Sequence, residues 1–116
     1  MSYIQKIEDI LKKDYDHETP DKPRSVDFNK AIKSFLKASF PGYAITTTKG
    51  AWCQASGFIQ DKDTGKTVFY SFQDYRYGDW KQRILIRRAA GTSDYRGGAN
   101  HYTNVEDMYA DVMMLM

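Results

Sequence analysis

The sequence is poor in the residues that build disulfide frameworks and metal centres. Its 116 residues include one cysteine, Cys53, and two histidines, His17 and His101. A single thiol excludes an intramolecular disulfide and a multi-cysteine metal site, and chains without disulfides are typical of reducing compartments. We therefore predict a cytoplasmic protein that holds no metal and no cofactor.

Long apolar runs are also missing. No segment provides the roughly 20 apolar residues that a helix needs to cross a bilayer. The opening stretch, MSYIQKIEDILKK, carries charges throughout and lacks the apolar core and cleavage site of a secretory leader. We expect neither export nor contact with a membrane.

Recognisable catalytic motifs are absent from the sequence as well. His17 lies in a charged stretch with two prolines, and Cys53 falls on a predicted core position, where a thiol usually acts as a small apolar group. These features predict a protein that is not an enzyme. A lesser alternative is a phosphodiester-directed enzyme in which His101, near Arg96 and Asp94, acts as a general acid or base.

Aromatic residues, by contrast, are abundant, and the charge is unevenly distributed. Phenylalanine, tyrosine and tryptophan make up 15% of the chain, which favours a packed globule over a disordered chain. The net charge is +2, yet residues 28–103 carry twelve bases and five acids, whereas residues 1–27 and 104–116 are net negative. A basic middle segment of this kind can steer a polyanion to one surface; lysines and arginines that are simply solvated surface residues are the alternative.

Apolar residues at helical spacing predict three helices. The first runs from Ser2, its N-cap, to about Asp14. Two prolines among charged residues then predict a linker that ends at residue 26. The second helix, FNKAIKSFLKAS, follows the N-cap Asp27 and ends before a Pro-Gly pair. The third begins at a capping box, residues 103–106.

Strand-like segments separate the second and third helices, and short polar connections without a helix join them into an antiparallel meander. The four segments are Tyr43–Lys49, Trp52–Gln60, Thr67–Asp74 and Gln82–Ala89. We therefore predict an α+β fold: a four-stranded antiparallel sheet with two helices on one face and an additional amino-terminal helix. Residues 1–26 form the amino-terminal helix and charged linker, and residues 27–116 form the compact domain.

Alternation along these strands predicts which sheet face is buried. Six apolar residues from the second helix, the four strands and the third helix should share one core: Phe35, Ile45, Ile59, Phe72, Ile86 and Val112.

The opposite sheet face is the first candidate binding surface. Its aromatic and basic residues are Trp52, Phe58, Phe69, Arg83 and Arg87. Trp, Tyr and Arg are enriched at the energetic centres of protein interfaces, which favours a protein–protein or self-association surface. Aromatic and arginine side chains also stack on unpaired bases and pair with phosphates, so single-stranded nucleic-acid binding is the alternative. In a third interpretation these aromatics are covered and only pack.

The segment after the fourth strand is the second candidate site. It brings Arg96, Gly97, Gly98, Asn100 and His101 into one loop ahead of the third helix. Successive backbone amides in such a loop can hold an anion, although the Lys-Ser/Thr ending of a phosphate-binding loop is missing. Glycines that serve only the backbone are the alternative.

Together these patterns predict a small non-enzymatic binding protein. Its partner is another protein, a second copy of the chain, or a nucleic acid. We expect a homodimer, because the first helix lies beyond a proline-containing linker and the chain ends in the apolar residues MMLM. Either end can complete a neighbour's surface.

Overall fold

A computed structural model describes residues 2–13, 21–47, 54–77, 80–94 and 98–116, and shows an α+β fold with an antiparallel sheet, as predicted. The helices are α1 Tyr3–Lys12, α2 Asp21–Ser39 and α3 Met108–Leu115. The strands are β1 Tyr43–Thr47, β2 Ala55–Asp61, β3 Thr67–Phe72, β4 Ile84–Ala89 and β5 His101–Thr103, with a 3-10 turn at Tyr75–Tyr77 between β3 and β4.

The sheet has five strands rather than the predicted four, in the order β1-β2-β3-β4-β5. The additional strand, β5, pairs antiparallel with β4, so that Thr103 lies opposite Ile84 and His101 opposite Ile86. Three residues are too few for alternation to stand out from the glycine-rich segment before them, although Tyr and Thr favour strands. His101 therefore belongs to a strand and not to a loop.

Helix α2 begins at Asp21, so the prediction that it starts after Asp27 was wrong. The error arose from Pro23, because a proline among charged residues is typical of a linker. Pro23 lies in the first turn of α2, where backbone N–H groups have no helical partner and a proline is tolerated. The preceding residues of the predicted linker, 14–20, lie outside the described residues.

The amino-terminal helix α1 packs against the rest of its own chain. Its N-cap is Ser2, as predicted, whose Oγ accepts a hydrogen bond from the Gln5 N–H at 3.0 Å. Ile7 is completely buried in the main apolar cluster. Glu8 forms an ion pair with Lys81, just before β4. These contacts fix α1 on the same sheet face as the other two helices.

The main core lies between the helices and one face of the sheet, as alternation predicts. Among the six predicted core residues, five are buried in this cluster and Phe35 packs against it as a partly buried side chain. The strand residues in the cluster share one sheet face: Ile45, Ala55, Ile59, Val68, Tyr70, Phe72, Ile84 and Ile86.

Candidate binding surface

The strand register defines the sheet face opposite the helices, which we call the outer face. One row across β1–β4 consists of Thr46, Phe58, Phe69 and Arg87. The next row, across β2–β5, consists of Ser56, Ser71, Leu85 and Tyr102. The missed strand β5 therefore extends the predicted surface by one tyrosine.

Phe58 and Phe69 form the buried base of the outer face. They are 1% and 8% exposed, and their rings meet edge to face with centroids 5.4 Å apart. Together with Ala89 and the partly buried Leu85 they form a second apolar cluster, whose described members are all strand residues. Rings buried to this extent contribute packing, and too little of either is exposed to stack on a base.

Two arginines of the outer face lie over aromatic rings. The Cζ of Arg83 is 4.7 Å from the centroid of Tyr102, and the Cζ of Arg87 is 4.7 Å from that of Phe69. Such cation–π contacts are attractive, and a guanidinium that stacks on a ring can still donate from the N–H groups at its exposed edge. The Nε of Arg87 is itself buried. Arg83 is exposed, whereas Arg87 is half-buried.

Arg88, the last residue of the segment RILIRR (residues 83–88), contacts the helix side of the sheet. Its Nε donates a hydrogen bond to the carbonyl of Leu115, 2.9 Å away, at the end of α3. A cation at this position complements the negative end of the helix dipole. Alternation predicts this side for Arg88, and its contact is structural.

Tyr102 is the surface residue that the sequence interpretation missed. Its ring is 52% exposed and lies beneath Arg83. It would have been found only by recognising His-Tyr-Thr as a strand. Trp52, which was predicted to share this surface, lies outside the described residues.

The predicted anion-binding loop is described only in part, because Arg96 and Gly97 lie outside the described residues. Gly98 has a positive φ of 79°, and an added Cβ would lie 2.6 Å from the carbonyl oxygen of Arg88. The chain therefore needs a glycine here for backbone reasons. Asn100 and His101 are both exposed.

His101 borders a groove of about 250 Å³ between β5 and α3, which we call the edge groove. Its lining residues are Ile86, His101, Tyr102, Asp111, Met114 and Leu115. The Oδ2 of Asp111 accepts a hydrogen bond from the Oγ1 of Thr103 at 2.5 Å. Asp94, the carboxylate of the enzyme alternative, accepts a hydrogen bond from the N–H of Ala90 at 2.9 Å.

Over the described ranges, the structure contains neither a group of three or more His, Cys, Asp or Glu residues arranged to hold a metal ion nor a helix with the length and apolar character needed to cross a membrane. Comparison with protein-family models, with curated proteins and with solved structures finds no match. Function is therefore inferred from the shape and charge of the outer face.

Proposed function

We propose that this protein is a small non-enzymatic binding protein whose outer face docks onto an acidic surface of a partner protein. The observation that carries the proposal is the pair Arg83 and Tyr102. Both side chains are exposed, they stack on each other, and they lie on the sheet face that the helices leave uncovered. Arginine and tyrosine are among the residues that most often dominate the binding energy of protein interfaces.

Pre-organisation strengthens this surface. Docking costs free energy because long side chains lose rotamer freedom. The stack on Tyr102 already restricts Arg83, and the half-buried Arg87 is restricted by Phe69. An acidic partner therefore meets two cations whose positions are largely set before binding.

The charge distribution favours the same kind of partner. Residues 28–103 hold twelve of the seventeen basic residues and five of the fifteen acidic ones. This segment includes the whole sheet. A surface of one dominant sign speeds association with a surface of the opposite sign, and salt weakens the effect.

Single-stranded nucleic acid is the second candidate partner, because Arg83 beside the exposed Tyr102 can pair with a phosphate and stack on a base. The burial of Phe58 and Phe69 disfavours it. Successive bases need successive exposed rings, and the outer face offers one exposed ring, that of Tyr102, among its described residues.

A direct test compares a fluorescently labelled glutamate-rich peptide with labelled oligothymidine by anisotropy at low salt. We expect the peptide to bind, its affinity to fall with added salt, and Arg83→Ala to weaken binding by about twofold to fivefold, as for an exposed charge contact. Lys62→Ala is the matched control, since Lys62 is an exposed cation in the β2–β3 turn. Equal affinities for the two variants contradict the proposal, and tight oligothymidine binding that depends on Tyr102 supports the second candidate.

The proposal includes a cytoplasmic location and self-association. The single cysteine supports the location, since cytosolic proteins seldom need disulfides. A homodimer is supported by Tyr109, an aromatic side chain on α3 that is 52% exposed.

A further inference from the structure

Strand β5 is an edge of the sheet, with β4 as its one described neighbour. An edge strand carries unpaired backbone N–H and C=O groups that can accept another extended chain. Proteins often protect such edges by keeping the strand short or by placing lysine, proline or a bulge there. Strand β5 is short, at three residues, but its sequence, His-Tyr-Thr, contains neither lysine nor proline.

The two sides of a strand added at β5 would meet different surroundings. Residues opposite one another in a sheet point to the same face. A residue placed opposite Tyr102 therefore points to the outer face, beside Arg83. Residues placed opposite His101 or Thr103 point to the helix side, where the edge groove lies.

The outer face and the edge groove carry opposite charges next to the added strand. On the outer face, the exposed guanidinium of Arg83 attracts a carboxylate. In the edge groove, the carboxylate of Asp111 repels one, while Ile86, Leu115 and the 79% exposed Met114 offer apolar contact. An acidic residue is thus favoured on one side of the added strand and an apolar residue on the other.

We infer that β5 accepts an extended segment of a partner protein in which acidic and apolar residues alternate. This inference rests on the proposed function, because both use Arg83, and it adds backbone pairing and an apolar residue at every second position. None of the five described strands has this alternation, since the one acidic residue among them is Asp61 at the end of β2. Pairing of β5 with a described strand of a second copy therefore does not match this charge pattern, and we assign the occupant to a different protein.

The test uses three labelled hexapeptides: one alternating glutamate and valine, one with three glutamates followed by three valines, and an alternating peptide N-methylated at every residue. Anisotropy titrations should give the alternating peptide an affinity about tenfold higher than the block peptide, because only the alternating peptide places its acidic side chains beside Arg83 and its apolar side chains in the edge groove at the same time. N-methylation should remove this advantage, because it deletes the backbone donors that pair with an edge strand.

Protein variants separate the two sides of the added strand. Met114→Ser should weaken the alternating peptide by about threefold to tenfold, since it removes apolar contact in the edge groove, and should leave the block peptide unchanged. Arg83→Ala should weaken both peptides, and Lys62→Ala should weaken neither. Met114 and Arg83 are both exposed, so both variants should fold.

The outcomes distinguish this inference from the proposed function. If the block and alternating peptides bind equally and N-methylation has no effect, strand addition is overturned while acidic docking stands. If neither peptide binds at low salt, both are overturned, and binding of oligothymidine alone has the same consequence. If the alternating peptide dissociates a dimer of the chain by competition, the edge is occupied by a second copy, which overturns the assignment to a different protein.

Discussion

The hydroxyl of Tyr70 donates a hydrogen bond to the main-chain carbonyl of Thr46, 3.1 Å away, although strand β2 lies between their strands. The bond passes over Gly57. A Cβ at position 57 would lie 1.9 Å from the Thr46 oxygen and 2.9 Å from the Tyr70 hydroxyl oxygen. Because Gly57 has no side chain, the hydroxyl of the buried Tyr70 can reach the Thr46 carbonyl. This hydrogen bond satisfies the hydroxyl and links β3 to the edge strand β1.

Gly57→Ala should destabilise the protein by about 2–4 kcal/mol, because the methyl group forces the strands apart and breaks the Tyr70–Thr46 hydrogen bond. Urea unfolding measures the change. Gly91→Ala is the control, since an added Cβ there meets nothing within 4 Å, and its effect should stay within about 0.5 kcal/mol. Similar losses for both variants would contradict the close packing at Gly57.

Burial raises the pKa of Tyr70 above its ordinary value. The folded state therefore keeps the phenol protonated at a pH where the unfolded chain, with a tyrosine pKa of about 10, releases the proton. This contribution to the free energy of unfolding is fully present below about pH 10 and is lost as the pH rises above that value.

Tyr70→Phe tests this dependence. The variant should lose about 0.5–1.5 kcal/mol at neutral pH through the missing hydrogen bond, and its stability should fall less steeply than that of the wild type between about pH 9 and about pH 11. Urea titrations at several pH values measure both effects. Parallel pH profiles would show that Tyr70 ionises equally easily in both states.

The side-chain hydrogen bond from Arg76 holds the pKa of Asp74 below its ordinary value, against the opposing effect of burial. The Arg76 Nη2 lies 2.6 Å from Asp74 Oδ2, and the Arg76 N–H donates to Oδ1 at 2.9 Å. This contribution is present above the unfolded pKa of about 3.9 and is lost as the pH falls through the lower folded value.

Asp74→Asn should reduce stability at neutral pH by about 1 kcal/mol. The loss is modest because the Arg76 side chain is about half-exposed, so that solvent screens the ion pair. The difference from the wild type should shrink below about pH 4, where the wild-type carboxylate also becomes neutral. Thermal unfolding at the two pH values measures it. Asp63→Asn, in an exposed turn, is the control. A difference that persists unchanged in acid would exclude an ionic role for Asp74.

Alternation was sufficient to assign the buried sheet face, because positions such as Ile59 and Phe72 are apolar where their neighbours along the strand face the other way. It also placed Arg83 and Arg87 on the outer face. It could not decide whether Phe58 and Phe69 are exposed. The sequence pattern of an aromatic residue on the outer face is the same whether its ring is buried, as here, or exposed to solvent.

Local signals failed where tertiary pairing decides the structure. Strand β5 exists because β4 has a free edge for His101–Thr103, and no property of three residues reveals such a neighbour. Pro23 was interpreted as a breaker, although the first turn of α2 accommodates it. The surface that carries the proposals, Arg83 with Tyr102, became visible only once β5 was placed beside β4.

Self-association is the remaining prediction, and of its two predicted bases, α1 and the apolar carboxy-terminal residues, the structure leaves the second, which belongs to α3. Because Ile7 is buried in its own chain, α1 is not expected to complete a neighbour. Tyr109, by contrast, is half-exposed while its ring stacks on Phe40 with centroids 5.4 Å apart. A rigid, exposed aromatic of this kind is a common centre of binding energy.

We therefore expect the sedimentation coefficient of the wild type to rise with concentration toward that of a dimer, and Tyr109→Ser to remain closer to the monomer at every concentration. Val26→Ser is the matched control, since Val26 is 48% exposed on α2 and its loss should not change the profile. Urea unfolding of each variant shows whether lost packing on Phe40 unfolds the chain and mimics dissociation. A wild type that sediments as a monomer at high micromolar concentration would contradict the dimer, and equal effects of the two variants would place its interface away from Tyr109.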